Sequence, residues 1–143
     1  MIRPVIVTLA LAVGVTAVVA QGNPIAERKS LMKAQGGAAR TATQMIRGAE
    51  PFDPAKAKQV YDTFLNTTAK FAALFPDNSK TGGETTASPK IWTDKAGFQA
   101  AITKFDTDVK TAMVQATTLD AFKASFPKVA ENCQSCHTAY RTE

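Results

Sequence analysis

Four segments of the chain place apolar residues at helical spacing, and each opens on a start signal. The first opens at Asn23, a capping side chain, with Pro24 in the first turn, and runs through Ile25, Arg28, Leu31 and Met32 towards Met45 and Gly48. Gly36 and Gly37 interrupt it. Each costs a helix interior about 1 kcal/mol relative to alanine, so the pair predicts a bend or a place where something bulky meets the backbone. The second segment opens at Asp53-Pro54, turns Val60, Phe64, Phe71 and Leu74 inward and ends before Pro76. From Pro76 to Lys90 the chain is polar and contains glycine, too long a stretch for a tight turn, which predicts a crossing between helices. The third, from about Asp94 to Ala116, sets Phe98, Ile102, Phe105, Val109 and Met113 along one face. The fourth, from about Thr118 to Arg141, repeats the rhythm with Phe122, Phe126, Val129, Cys133, Cys136 or His137 and Tyr140; Pro127 predicts a kink or a late start. No segment alternates with period two over a useful length, so the pattern predicts an all-α fold with helices packed at small crossing angles.

Ahead of these segments, Arg3 is followed by an uncharged apolar run from Val5 to Val19, and Val18-Val19-Ala20 supplies small residues at a cleavage point. Residues 1–20 are therefore expected to be a signal peptide cut before Gln21, leaving 21–143 as one domain. An uncleaved membrane anchor is the alternative, but the run is barely long enough to span a bilayer and is marked by Pro4 and Gly14. Export to the periplasm without stable membrane association after cleavage is the expectation. The net charge of +5 loses only Arg3, so the mature chain stays mildly basic. Its acidic and basic residues are interleaved, with no Lys/Arg block and no aromatic-basic pattern, which argues against a nucleic-acid partner.

Chemistry is concentrated at one point. Cys133-Gln134-Ser135-Cys136-His137 has the Cys-x-x-Cys-His form that marks covalent attachment of c-type haem. On a helix the two sulfurs lie on one face, where each can meet one vinyl-derived carbon of a single porphyrin. His137 follows directly and is the only histidine of the chain, so an imidazole that holds the iron must be this one. A disulfide between the two cysteines would close too small a loop to constrain the chain. A thioredoxin-like pair would follow a strand, and no strand is expected here. A structural zinc site would be one protein ligand short with two cysteines and one histidine.

With four helices and this motif close to the carboxyl end, the chain resembles the cytochrome c-prime family, the class II cytochromes c. The resemblance extends over nearly all of the mature chain and is carried by the Cys133 to His137 motif with Tyr140-Arg141 after it, by Arg28 to Met32, and by Ser88-Pro89-Lys90-Ile91-Trp92. It implies an antiparallel up-and-down four-helix bundle with one covalently bound haem c per chain near one end, often as a homodimer built from the first two helices. Members of the family differ in the sixth ligand of iron, placed four residues after a first-helix arginine. Low-spin relatives have methionine there, and counting from Arg28 gives Met32. A thioether there would keep iron low-spin and raise its potential. Met45 lies too far along the same helix to compete, and Met113 belongs to a regular apolar face. The resemblance also suggests that Arg28 meets a haem propionate. Arg141, one turn after His137, can influence the imidazole or a propionate, and Trp92 is expected to close the core beside the haem.

Two functions are thereby set against each other. One is a periplasmic single-electron carrier with His137 and Met32 as axial ligands and periplasmic redox proteins as partners. The other is a five-coordinate cytochrome c-prime that binds nitric oxide or carbon monoxide, with Met32 only packing over the metal. Peroxide chemistry ranks last, because a distal acid or base would be needed and there is no second histidine.

Overall fold

Four long helices and one single-turn helix carry the chain: α1 (Pro24–Ile46), α2 (Pro54–Phe71), α3 (Lys90–Thr93), α4 (Lys95–Gln115) and α5 (Leu119–Tyr140). The computed structural model describes residues 22–142, so the expected signal segment and its cleavage point lie outside the described residues. Among the described residues no strand forms, and one isolated antiparallel bridge joins Ala87 to Arg141. No helix among them is long and apolar enough to cross a membrane.

The long helices begin where the sequence marks them. The Asn23 side chain accepts from the N–H groups of Ile25 and Ala26, and that of Asp53 from Ala55 and Lys56. Asp94 caps α4 through Gly97 N–H, and Thr118 caps α5 through Ala121 N–H. Each such cap is worth about 1 kcal/mol. Four details depart from expectation. The α1 helix runs through Gly36 and Gly37 unbroken, and α5 runs through Pro127 from Leu119 onward, so the proline does not delay its start. The second segment leaves α-geometry at Phe71 and continues as single 3-10 turns over Ala72–Leu74 and Asp77–Ser79. The short α3 fills the interval between the expected crossing, which ends at Lys90, and the third helix, expected from about Asp94.

Contacts fix the topology. α2 and α4 are antiparallel, since Phe64 meets Phe105 and Phe71 meets Phe98, with ring centroids 5.6 and 6.2 Å apart. α4 and α5 are antiparallel as well, with Asn132 bonded to Asp108 and Phe98 packed on Tyr140 at 5.2 Å. α1 lies along α2, and α5 closes back onto α1, completing a four-helix bundle. Side chains fill its two ends differently. One end is a continuous core around Met45, Tyr61, Phe64, Val109, Phe122 and Val129. At the other, Ile91, Phe98, Ile102 and Tyr140 form a smaller cluster, and beside it the bundle is hollow.

Candidate functional site

The hollow is a cavity of about 650 Å³, open to solvent on one side, a size that accommodates an organic cofactor. α1 contributes Arg28 and Met32 to its wall, and α5 contributes Cys133, Cys136 and His137, with Arg141 just beyond the helix. Phe71, Phe75, Ile91 and Phe105 supply apolar wall. Gly36 also lines it, and no atom lies within 4 Å of where its Cβ would stand. Neither glycine of the pair serves close packing within the chain, and the expected role of admitting something bulky falls to Gly36, on the cavity side of α1.

Of the side chains assigned to the haem site from sequence, Trp92 alone does not line this cavity. It faces a separate hollow of about 250 Å³ with Phe98 and Gln99. Its indole N–H donates to the Phe75 carbonyl at 2.9 Å, and the two rings meet edge to face at 5.8 Å. It thus supports a wall residue from behind.

Arg28 is 5% exposed. Its Nη2 donates to the Ser79 carbonyl at 2.8 Å, and its guanidinium lies 4.4 Å from the centre of the Phe75 ring. Nε and Nη1 are buried with no hydrogen-bond partner. A buried cation with two orphaned donors costs several kcal/mol unless something anionic meets it. A cofactor with carboxylates, such as haem, supplies that counterpart, so the residues present fit the group.

The thiols are unsuited to reaction as thiolates. Burial pushes both Cys133 and Cys136 up from the ordinary cysteine value, and the neighbouring Cys133 pushes Cys136 further. Low-pKa exchange chemistry requires the opposite. Neither forms a disulfide. Among the described residues no three His, Cys, Asp or Glu side chains converge on a metal position, which leaves the zinc reading without a ligand set. His137 is pushed down by burial and by the Arg141 guanidinium, so its imidazole is neutral at pH 7 and has a nitrogen lone pair to offer.

The crossing segment borders the mouth. It is pinned to α1 by Arg28 and by Lys29, whose ammonium reaches the Gly83 carbonyl and the Glu84 carboxylate. The carboxyl end holds its other side: Thr142 N–H donates to Thr86 O, and Ser88 N–H to Tyr140 O. Gly83 has φ of +54°, and a Cβ there would stand 2.9 Å from Ile25 Cγ2, so only glycine suits the position.

Sequence reasoning overlooked Asn132 and Asp108. Asn132 lines the cavity and donates to Asp108 Oδ2 at 2.9 Å; Lys104 donates to both, at 2.6 Å to Asp108 and 3.1 Å to Asn132. The available signal was positional: each polar residue directly precedes a residue of its helix's inward stripe, Val109 and Cys133.

Comparison with known proteins finds relatives along nearly the whole of the described chain. A family model described as Cytochrome C' matches residues 23–141. A cytochrome c' of Rhodopseudomonas palustris is 37% identical over 125 residues, covering 87% of this chain and 86% of its own length. A cytochrome c-556 of the same organism is 30% identical over 145 residues, covering 99% of this chain and 97% of its own. The solved structure of cytochrome c' from Rhodopseudomonas palustris aligns with a TM-score of 0.82 at 36% identity, over 86% of this chain and 98% of that one.

Proposed function

The chain belongs to the cytochrome c' family, and from that premise we propose that it is a periplasmic single-electron carrier whose haem c is held by Cys133 and Cys136, with His137 and Met32 as axial ligands. Proteins of this family bind one haem c per chain, covalently. When bound, haem c supplies an iron that takes up and returns one electron.

The observation that carries the reading is the meeting of two distant parts of the sequence. Met32 near the start of α1 and His137 near the end of α5 line one cavity together with both cysteines. Each thiol can add its S–H across one porphyrin vinyl group, which makes a thioether and leaves no by-product. His137 offers a neutral nitrogen, and Met32 a thioether whose soft sulfur favours the ferrous state. Arg28 offers its two free donors to a carboxylate. Apolar walls lower the polarity around the site, while the open side of the cavity leaves a route for electrons to a periplasmic redox protein. Placement in the periplasm rests on the expected signal peptide and on the export that haem c attachment requires.

The ferric near-infrared spectrum tests the axial pair. Methionine ligation gives a charge-transfer band there. Met32→Ala is expected to abolish it, convert the iron to a high-spin spectrum and lower the reduction potential. A wild-type spectrum without the band, unchanged in Met32→Ala, would assign the five-coordinate, gas-binding reading instead. Loss of pigment into acidified acetone would refute covalent attachment altogether.

A further inference from the structure

The side-chain network that joins α4 to α5 has no part in the function proposed above, yet it borders the cavity. Asp108 and Asn132 are 8% and 7% exposed. The Asp108 carboxylate accepts from Lys104 at 2.6 Å and from Asn132 at 2.9 Å, and Lys128 lies 3.4 Å from its other oxygen. Asn132 Nδ2 also donates to the Lys128 carbonyl at 3.0 Å. Every hydrogen-bonding atom of the Asn132 side chain is thereby committed.

Its position along α5 gives the network a task. Pro127 has no N–H, so the helix lacks the bond that would run from residue 127 back to the Lys123 carbonyl. The part of α5 that follows carries Cys133, Cys136 and His137. Asn132 immediately precedes Cys133, and its bond to Asp108 fastens this part of the helix to α4 just beyond the weak point.

Charge supplies a second effect, and exposure decides its sign. The Lys104 and Lys128 side chains are 62% and 69% exposed, whereas that of Asp108 is 10% exposed. Water screens the two exposed ammonium groups more than it screens the carboxylate. Towards the cavity the net influence is therefore negative. Exposed pairs such as Lys58–Asp62, at 64% and 48%, are screened on both sides.

We propose that Asp108 is a positioning residue of the redox site: through Asn132 it fixes the haem-bearing part of α5 against α4, and it holds a negative charge behind Asn132, which lines the cavity, that favours ferric over ferrous iron. The inference rests on the haem c reading given above.

The test is the midpoint potential of the purified holoprotein and its variants, read beside thermal unfolding. Asp108→Asn keeps the volume and removes the charge, and is expected to raise the potential. Lys104→Met and Lys128→Met remove opposing charges from exposed side chains and are expected to lower it. Asp108→Glu retains the charge and should keep a potential close to wild type even where its unfolding temperature falls. Asp62→Asn, in the exposed pair on α2, should leave the potential unchanged. A purely structural network would lower the unfolding temperature in all the network variants without opposite shifts in potential. Shifts of one sign for Asp108→Asn and Lys104→Met, or none, would overturn the proposal while leaving the haem reading intact. A preparation without covalently held pigment would overturn both.

Discussion

Asp108 shows how a single buried charge couples the bundle to acidity. The Lys104 ammonium and then the Asn132 amide hold its carboxyl down from 3.8 to about 2. A carboxyl depressed by folding stabilises the native state above its unfolded pKa, and that stabilisation is lost as pH falls through the folded value. Here the window runs from about pH 4 down to about pH 2, and the contribution is on the order of 2 kcal/mol. The thermal midpoint of the wild-type holoprotein should therefore exceed that of Asp108→Asn by its full margin at pH 6, with the gap closing between pH 4 and pH 2. A gap that stays constant to pH 2 would mean that the ionised carboxylate is not its source. At this scale the sequence was legible where chemistry leaves a pattern: the motif residues Cys133, Cys136 and His137 line one cavity. It was mute where a polar residue is defined only by its partner on another helix. Asp108 and Asn132 acquire their roles by meeting each other: their places next to Val109 and Cys133 mark them as near the inward face, but do not announce the bond between them.

Among the elements, the start of α4 and the end of α5 form a clasp that depends on a glycine. Tyr140 donates its hydroxyl to Asp94 Oδ2 at 3.0 Å, and Asp94 also caps α4 through Gly97 N–H. A Cβ on Gly97 would stand 2.6 Å from the Tyr140 hydroxyl and would also overlap the Asp94 carboxylate. Gly97→Ala should thus destabilise the holoprotein by about 1–3 kcal/mol, the cost of overpacking a filled site. Gly37→Ala, where a Cβ meets nothing within 4 Å, should instead stabilise it by up to about 1 kcal/mol through helix propensity. Denaturant unfolding of the two variants checks the opposite signs; destabilisation of equal size in both would refute the clasp. The caps at Asn23, Asp53, Asp94 and Thr118 made the helices readable in advance, since each is a local event between near neighbours. The continuity of α1 past two glycines and of α5 past Pro127 was not readable in that way. Packing against neighbouring helices outweighs a local penalty of 1–3 kcal/mol. The turn of α3 was missed for a related reason: Ile91 forms part of the cluster with Phe98, Ile102 and Tyr140, a tertiary anchor without a local signal.

The whole molecule is asymmetric in how it is filled, and this has a consequence for its stability. One end is packed with its own side chains, Tyr61, Phe64 and Phe122 among them, while the other encloses about 650 Å³ that the chain does not fill. At ~24 cal/mol per Å³, leaving such a volume empty would cost ~15 kcal/mol. That is an upper bound, because one side is open to water, yet it equals the entire stability of a typical domain. The orphaned Arg28 donors add to the cost. The hollow end is therefore the weaker end without its cofactor, whereas the packed end is filled by its own side chains. The double variant Cys133→Ala/Cys136→Ala, purified free of pigment, should show this division by hydrogen exchange. Amides of α2 around Tyr61 and Phe64, of α4 around Val109 and of α5 around Phe122 should remain protected. Those of the first turns of α1, of the crossing from Ser79 to Ser88, and of α5 from Cys133 onward should exchange much faster than in the holoprotein. Uniform protection along all four long helices would show that the chain closes the cavity by itself, and the fold would then owe nothing to its cofactor. Exchange confined to one end would instead identify the cofactor as that end's missing core.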